Sequence, residues 1–382
     1  VTVVDAVRGA AVLCMMEWHC ADAWIGGARR EGEGFALTRI VGGFAAPLFL
    51  LLAGVSAALV FSPGRGAAGA RRGLSIVVGG YAFKLFAWAV DYGALVELRN
   101  WPAIALDAAT LWLASRAMGE LPRARRLALG AASLACGLAT WFALNGTTRT
   151  PGVILRLDVL QGIGAALVVV NGVLAVVHGH RHAAALLALL ALAVALATPS
   201  FVGLDLSFLP ARLVDYVART TPDPAASGAR FPLFPWLGYT LLGAAIGTAV
   251  RARPPADPWA VPFFRSAWVA LALALVTGAC AFEPTLVARA LLAHFEQGRN
   301  ALRLVWNTSV ATAFASLASL TLPRVPAAER AMLSLGRHSL VVYVVHLELA
   351  YGLPAIPIRN ALGFGGWAVG VVVLVAMMVA LS

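Results

Sequence analysis

The sequence predicts an all-α fold, a polytopic transmembrane helical bundle of about 11–12 spans. Three observations carry this. The 382 residues are 60% hydrophobic and only 12% charged, against about a quarter charged in soluble domains. Mean hydropathy is +0.83. Apolar runs near the length that crosses the hydrocarbon core, about 20 residues, recur from one end of the chain to the other. They leave no room for a separate soluble unit, so residues 1–382 read as a single integral membrane domain.

Apolar runs and their Gly, Pro and Arg punctuation place spans at 6–25, 40–61, 73–90, 101–118, 128–145 and 157–176. Six more follow at 183–202, 232–250, 266–280, 304–322, 338–351 and 363–382. The first run lacks a small-residue cleavage site and reads as a span, not as a cleaved signal. No internal repeat emerges, which disfavours transporter folds built from inverted halves.

The net charge of +11 comes from scattered arginines and one lysine, Lys84, between hydrophobic runs. That pattern fits loop charge and anionic lipid headgroups, not nucleic acid. Cys14, Cys20, Cys136 and Cys280 lie in or beside apolar segments without CxxC spacing, so they read as small core residues. The tract His178 to His182, "HGHRH", has the residue type for a metal but no carboxylates, and reads as a solvated turn. No metal is expected. Even-numbered and odd-numbered loops hold equal numbers of basic residues, but the even loops are far shorter. Density therefore puts the even loops and the N-terminus in the cytoplasm and the loop 203–231 outside.

The first span, "VDAVRGAAVLCMMEWHC", carries ionisable groups that a lipid-facing helix would not. Arg8 and His19 are eleven residues apart, so they differ by only about 20° around a helix and stand about 16 Å apart along it. They share one face, a cation at one end and an imidazole toward the other. Glu17 points away from both, and Asp5 precedes Arg8 by three and can pair with it. Two readings stand: a path lined by Arg8 and His19, or a snorkelling arginine and a histidine hydrogen-bonded within the bundle. In the penultimate span Ser339, Tyr343 and His346 form a polar stripe facing the bundle. Ser339 and His346 are about 10 Å apart on it, too far for a Ser-His nucleophile. Gly243 and Gly247 form GxxxG, the signature of close helix packing. Lys84 and Asp107 are single charges inside spans, explained by function or by pairing.

Five segments carry a resemblance. "VDAVRGAAVLCMMEWH", "ALTRIVGGFAAPLFLLLAGVSAAL", "RLDVLQGIGAAL", "FPLFPWLGYTLLGAAIG" and "LGRHSLVVYVVH" together resemble the heparan-alpha-glucosaminide N-acetyltransferase catalytic-domain family, a group of multi-span membrane proteins. Arg-x10-His in the first span is also similar to the acyltransferase-3 family, which moves acyl groups onto sugars at membranes. The chain departs from relatives at Trp18, where an acidic residue often precedes the histidine, and it has no histidine between Cys20 and Leu50.

The resemblance implies transfer of an acyl group, expected to be acetyl, from cytosolic acyl-CoA to an amine or hydroxyl of a sugar-containing acceptor at the far face. An imidazole can act as base or as acyl carrier in such chemistry, and His19 is the candidate. Arg39 and Asp158 join it as candidate catalytic residues: Arg39 to bind the acceptor or stabilise an oxyanion, Asp158 to pair with His19 or hydrogen-bond a sugar. Arg8, Arg337 and His338 are candidates for the CoA phosphates, with Arg71, Arg72, Arg123, Arg125 and Arg126 serving there or as topology determinants. Gln161 and Trp236 are candidates for the acceptor. The alternatives are a helix-start cap for Asp158 and Gln161, with Arg156 just before them, and an aromatic belt for Trp236.

The implied partners are acetyl-CoA or another acyl-CoA, a sugar, glycolipid or glycan acceptor and membrane lipid, with a homodimer left open and no nucleic acid. Arginine richness with a single lysine fits a GC-rich bacterial genome, and the expected location is the bacterial cytoplasmic (inner) membrane. A secondary transporter in which Asp107, Asp158 and His19 relay protons is the reading from another class, and a family member without catalysis is a third.

Overall fold

The structure, a computed structural model, describes residues 2–96, 157–201, 231–252 and 296–382, with scattered positions between 122 and 135 and between 204 and 218. Every long element among them is helical. The expected spans at 101–118, 128–145 and 266–280 lie wholly or largely outside the described residues, as do Asp107, Arg123, Arg126, Arg156, Cys136 and Cys280.

In chain order the helices are α1 (Thr2–Trp24), α2 (Glu33–Gly42), α3 (Ala45–Val60), α4 (Gly66–Val96), α5 (Val159–Val176), α6 (His180–Ala197), α7 (Leu233–Ala252), α8 (Glu296–Thr321), α9 (Pro326–Arg337), α10 (Ser339–Tyr351) and α11 (Phe364–Leu381). Among the described residues five stretches are long and apolar enough to cross a membrane: Glu33–Val60, Val159–Val176, His180–Phe201, Leu233–Ala252 and Phe364–Leu381. The chain is thus an all-α membrane bundle, and most of its described helices match their expected spans within a few residues, α4 and α8 extending further at one or both ends, while α2 occupies residues read as the loop before the span at 40–61.

Two expectations need correcting. Residues 323–337, read as a loop, contain α9. Its apolar residues Ala328, Ala331, Met332 and Leu335 follow the i, i+3, i+4, i+7 rule, Pro326 opens it and Arg337 closes it, so it is an amphipathic helix too polar to register as a span. Arg71 and Arg72 stand on the exposed early turns of α4, not in a loop, because the alanine-rich stretch from Gly66 favours helix.

Close glycine contacts set the register. A Cβ on Gly243 would overlap the carbonyl of Leu51, and one on Gly247 would meet Val55 and Ala58. The GxxxG pair therefore seats α7 against α3, the two running parallel. The Arg251 guanidinium at the end of α7 donates to the Phe61 and Ala58 carbonyls, satisfying acceptors that the end of α3 leaves open. Helices α4 and α5 pack antiparallel. Gly69 lies on Asn171, Gly73 on Gly164 and Gly80 on Gln161, and the Lys84 ammonium pairs with Asp158 at 3.5 Å. Gly179, at φ +89°, occupies a backbone conformation that side chains disfavour and reverses the chain before α6.

The polar helix α1 is central: α2, α3, α8, α9, α10 and α11 all pack on it. That burial explains how a span with Asp5, Arg8 and Glu17 is tolerated, since its charged groups face protein. Its far end is laced to the loop after α10. The amides of Asn360 and Leu362 donate to Ala23 and Trp24 carbonyls at 3.0 and 2.9 Å, and Gly26 leaves no space for a Cβ against Asn360.

Candidate functional site

Helices α1 and α10 run parallel through the site. At the far end the Trp24 indole donates to the Ala350 carbonyl at 3.0 Å, and the Tyr351 hydroxyl donates to Asp22 Oδ2 at 2.9 Å. Asp22 also accepts from Arg30 at 2.8 Å. These contacts bring the neighbouring turns of α1 and α10 together, so His19 meets His346. Nδ1 of His19 lies 2.8 Å from Nε2 of His346. The ring planes differ by 11° and the centroids are 5.1 Å apart. Nitrogens that close with centroids that distant put the rings edge to edge in nearly one plane, not face to face, the arrangement an in-plane hydrogen bond requires.

His346 is fully buried, whereas His19 is only partly so. Nδ1 of His346 lies 2.7 Å from the Val342 carbonyl oxygen, one turn earlier. The Tyr351 ring meets His19 edge-on at 5.6 Å, and the Tyr343 ring stands 6.0 Å from His346. His346 appears in the sequence only as part of a polar stripe. Its role as partner of His19 spans 327 positions, which no spacing rule reaches.

Three turns down α1, Arg8 sits in a second polar cluster. It donates to Asp5 Oδ1 at 2.8 Å and to the Ser56 hydroxyl at 2.7 Å. Arg337 Nε stands 3.6 Å from the other oxygen of the same carboxylate. The cluster is possible because α1 and α9 touch backbone to backbone: a Cβ on Gly336 would overlap the Asp5 carbonyl, and one on Gly9 that of Met332. Arg72 of α4 lies within electrostatic range of Arg8. Arg8 and Arg337 are thus brought together. His338, exposed at the α9–α10 turn, is next to Arg337 and its Nδ1 lies 3.1 Å from the Ser334 carbonyl oxygen. The face of α1 between Arg8 and His19 is apolar, with Val12 and Met15 in one buried cluster with Leu335, Val342 and Tyr343.

The turn that opens α5 closes on this region from the side. Val159 and Leu160 pack on the cluster holding Met15, Met16 and Tyr343, and Phe83, beside Lys84, meets the Tyr343 ring at 5.8 Å. Asp158 has two contacts there, the helix cap and Lys84: its Oδ1 accepts from the Val159 amide at 2.8 Å. Gln161 completes the capping box through Oε1, 3.3 Å from the Asp158 amide. Its Nε2 is buried and has no hydrogen-bond partner among the described residues, and the residue is fully buried. Such a donor left unmade costs about 1–3 kcal/mol, which marks it as a place where a ligand oxygen would be welcome.

Arg39 and Trp236 also stand apart from the histidine pair. Arg39 is on α2 near the level of His19, since Gly42, one turn on, packs against Trp18. Its side chain is exposed. Trp236 belongs to an aromatic group with Phe231 and Tyr239, at 4.9 and 5.9 Å, packed on the core between α6 and α7. Among the described residues no group of three or more His, Cys, Asp or Glu side chains gathers as a metal site would need.

Comparison with known proteins gives one finding. The family described as "Heparan-alpha-glucosaminide N-acetyltransferase, catalytic" matches residues 1–96 and 107–279. No curated protein and no solved structure matches the chain.

Proposed function

Since the chain belongs to the heparan-alpha-glucosaminide N-acetyltransferase catalytic family, and is thereby an acetyltransferase-type integral membrane protein, we propose that it moves an acetyl group from acetyl-CoA to an amine or hydroxyl of a sugar-containing acceptor across a bacterial inner membrane. The single observation that carries this reading is the placement of two polar clusters on one face of the central helix. Arg8 and Arg337 gather at one end, and a partly exposed His19 stands about 16 Å along.

In this reading Arg8, Arg337 and His338 take the anionic end of CoA at the cytoplasmic side. Guanidinium groups bind phosphate through several N–H donors at once, and Asp5 holds two of them in place without neutralising both. The apolar seam of Val12, Met15, Val342 and Tyr343 accommodates the uncharged arm, and Met15 can repack to admit it. The thioester then reaches His19, which accepts the proton of the incoming nucleophile. Gln161 offers its amide to an oxygen of the acceptor or of the developing oxyanion, and the Asp158–Lys84 pair holds the α5 turn that carries it. Arg39 and Trp236 stand further out as acceptor contacts.

The reading is tested with the purified full chain in detergent, supplied with acetyl-CoA and amino sugars and no membrane gradient. Acyl-CoA binding and acceptor-dependent release of CoA are expected. Solute flux that needs a gradient and ignores CoA would instead establish the transporter.

A further inference from the structure

The geometry around His346 fixes which nitrogen of His19 can act. A carbonyl oxygen only accepts, so His346 Nδ1, 2.7 Å from the Val342 oxygen, carries a hydrogen and donates it. In a neutral imidazole the other nitrogen then holds a lone pair, which makes His346 Nε2 an acceptor. It lies 2.8 Å from His19 Nδ1. Two lone pairs do not face one another at hydrogen-bond distance, so His19 Nδ1 carries the second hydrogen. By the same rule His19 Nε2 is the nitrogen with the lone pair. The in-plane meeting of the rings aligns the bond between them.

Burial supports the neutral form of the inner ring. His346 is fully buried beside the Tyr343 ring and the Val342 backbone, where an added charge would lose its hydration. It can therefore accept from His19 without competing for the proton. A carboxylate often orients a working histidine in this way; here a second histidine, itself anchored by backbone, stands in that place.

We propose that His346 is a positioning residue that holds His19 in the Nδ1–H tautomer and so presents Nε2 as the base, an inference that rests on His19 being the site of acyl transfer. The acceptor nitrogen or oxygen bonds to the thioester carbonyl carbon as its proton passes to His19 Nε2. The C–S bond breaks, its electron pair leaving on sulfur, and the proton on Nε2 then passes to that thiolate. The products are the acylated acceptor and CoA thiol, and both rings end as they began. While His19 carries the extra proton its Nδ1–H donates to His346 more strongly, since charge-assisted bonds are the stronger ones.

The test is the tautomer of His19 read by nitrogen-15 NMR on the full chain with labelled histidine, its signals assigned by their loss in His19→Ala. Wild type is expected to show protonated Nδ1 and unprotonated Nε2 at neutral pH. His346→Leu removes the acceptor and should mix the tautomers and slow acetyl transfer by about 10- to 100-fold, with acetyl-CoA binding unchanged. His346→Gln, whose amide oxygen can accept from Nδ1–H, should restore the tautomer and most of the rate. An Nε2–H tautomer in wild type overturns the inference, as does a His346→Leu variant with unaltered tautomer and rate. A locked Nδ1–H tautomer in a protein that transfers no acetyl group upholds the positioning role and overturns the enzymatic reading instead. The wild-type spectrum decides even where a variant fails to fold.

Discussion

His19 and His346 meet through their ring nitrogens at 2.8 Å although 327 positions separate them. The contact couples the first long helix to the penultimate one, and the Asp5–Arg337 and Asp22–Tyr351 contacts lie on either side of it. A site divided between chain ends in this way forms only once the bundle has packed. It also places the imidazole beside the parallel seam that leads to Arg8.

Acyl-CoA affinity should depend on the arginine cluster. Arg8→Ala removes a guanidinium bonded to Asp5 and Ser56, and a charge-assisted contact to phosphate is worth about 1.5–3 kcal/mol, so binding should weaken by roughly 10- to 100-fold. Titration of acetyl-CoA by calorimetry checks it. Unchanged affinity would remove Arg8 from the donor site.

Gln161 separates stability from binding. Its Nε2 is buried and unpartnered among the described residues, so Gln161→Leu, which deletes that donor together with the Oε1 acceptor bonded to the Asp158 amide, should change thermal stability by less than about 1.5 kcal/mol. The acceptor KM should rise all the same. A variant with ordinary acceptor kinetics would return Gln161 to a purely structural role.

Asp158 should split by substitution. Asp158→Asn keeps a capping oxygen for the Val159 amide, while Asp158→Ala loses it at a cost of about 0.5–2 kcal/mol. Thermal unfolding of the two variants should differ by that much, both having lost the ion pair with Lys84. Acetyl transfer abolished in a stable Asp158→Asn protein would show that the carboxylate takes part in the reaction itself.

The crossing of α1 and α9 leaves no room for a methyl group. Gly336→Ala should force the Asp5 backbone away and cost about 1–3 kcal/mol through overpacking. Because Asp5 bridges Arg8 and Arg337, the same change should weaken acetyl-CoA binding. A Gly336→Ala protein with wild-type melting and affinity would count against the close crossing.

Much of this architecture was legible in the sequence. Helix spans follow from apolar runs, close packing of α7 against some neighbour from Gly243 and Gly247, the α5 cap, as one of two readings, from Asp158 and Gln161 three residues apart, and the Asp5–Arg8 pair from helical spacing. Local periodicity carries each of these. The two-turn separation of Ser339 and His346 argued against a hydrolase, but nothing along α10 indicated that its histidine would face His19. Tertiary pairing depends on the register that Gly9, Gly336 and the Trp24–Ala350 bond impose. Helix α9 went unread because a search for membrane spans passes over an amphipathic helix with charged residues at each turn.

The most direct test of the central claim compares His19→Ala with wild type for acetyl-CoA binding and thioester turnover in the purified protein. The account predicts binding within a few-fold of wild type, since the donor site lies about 16 Å away on α1, and turnover reduced by at least about 100-fold, the loss expected on removing a general base. Full turnover by His19→Ala would place the chemistry elsewhere and contradict the account.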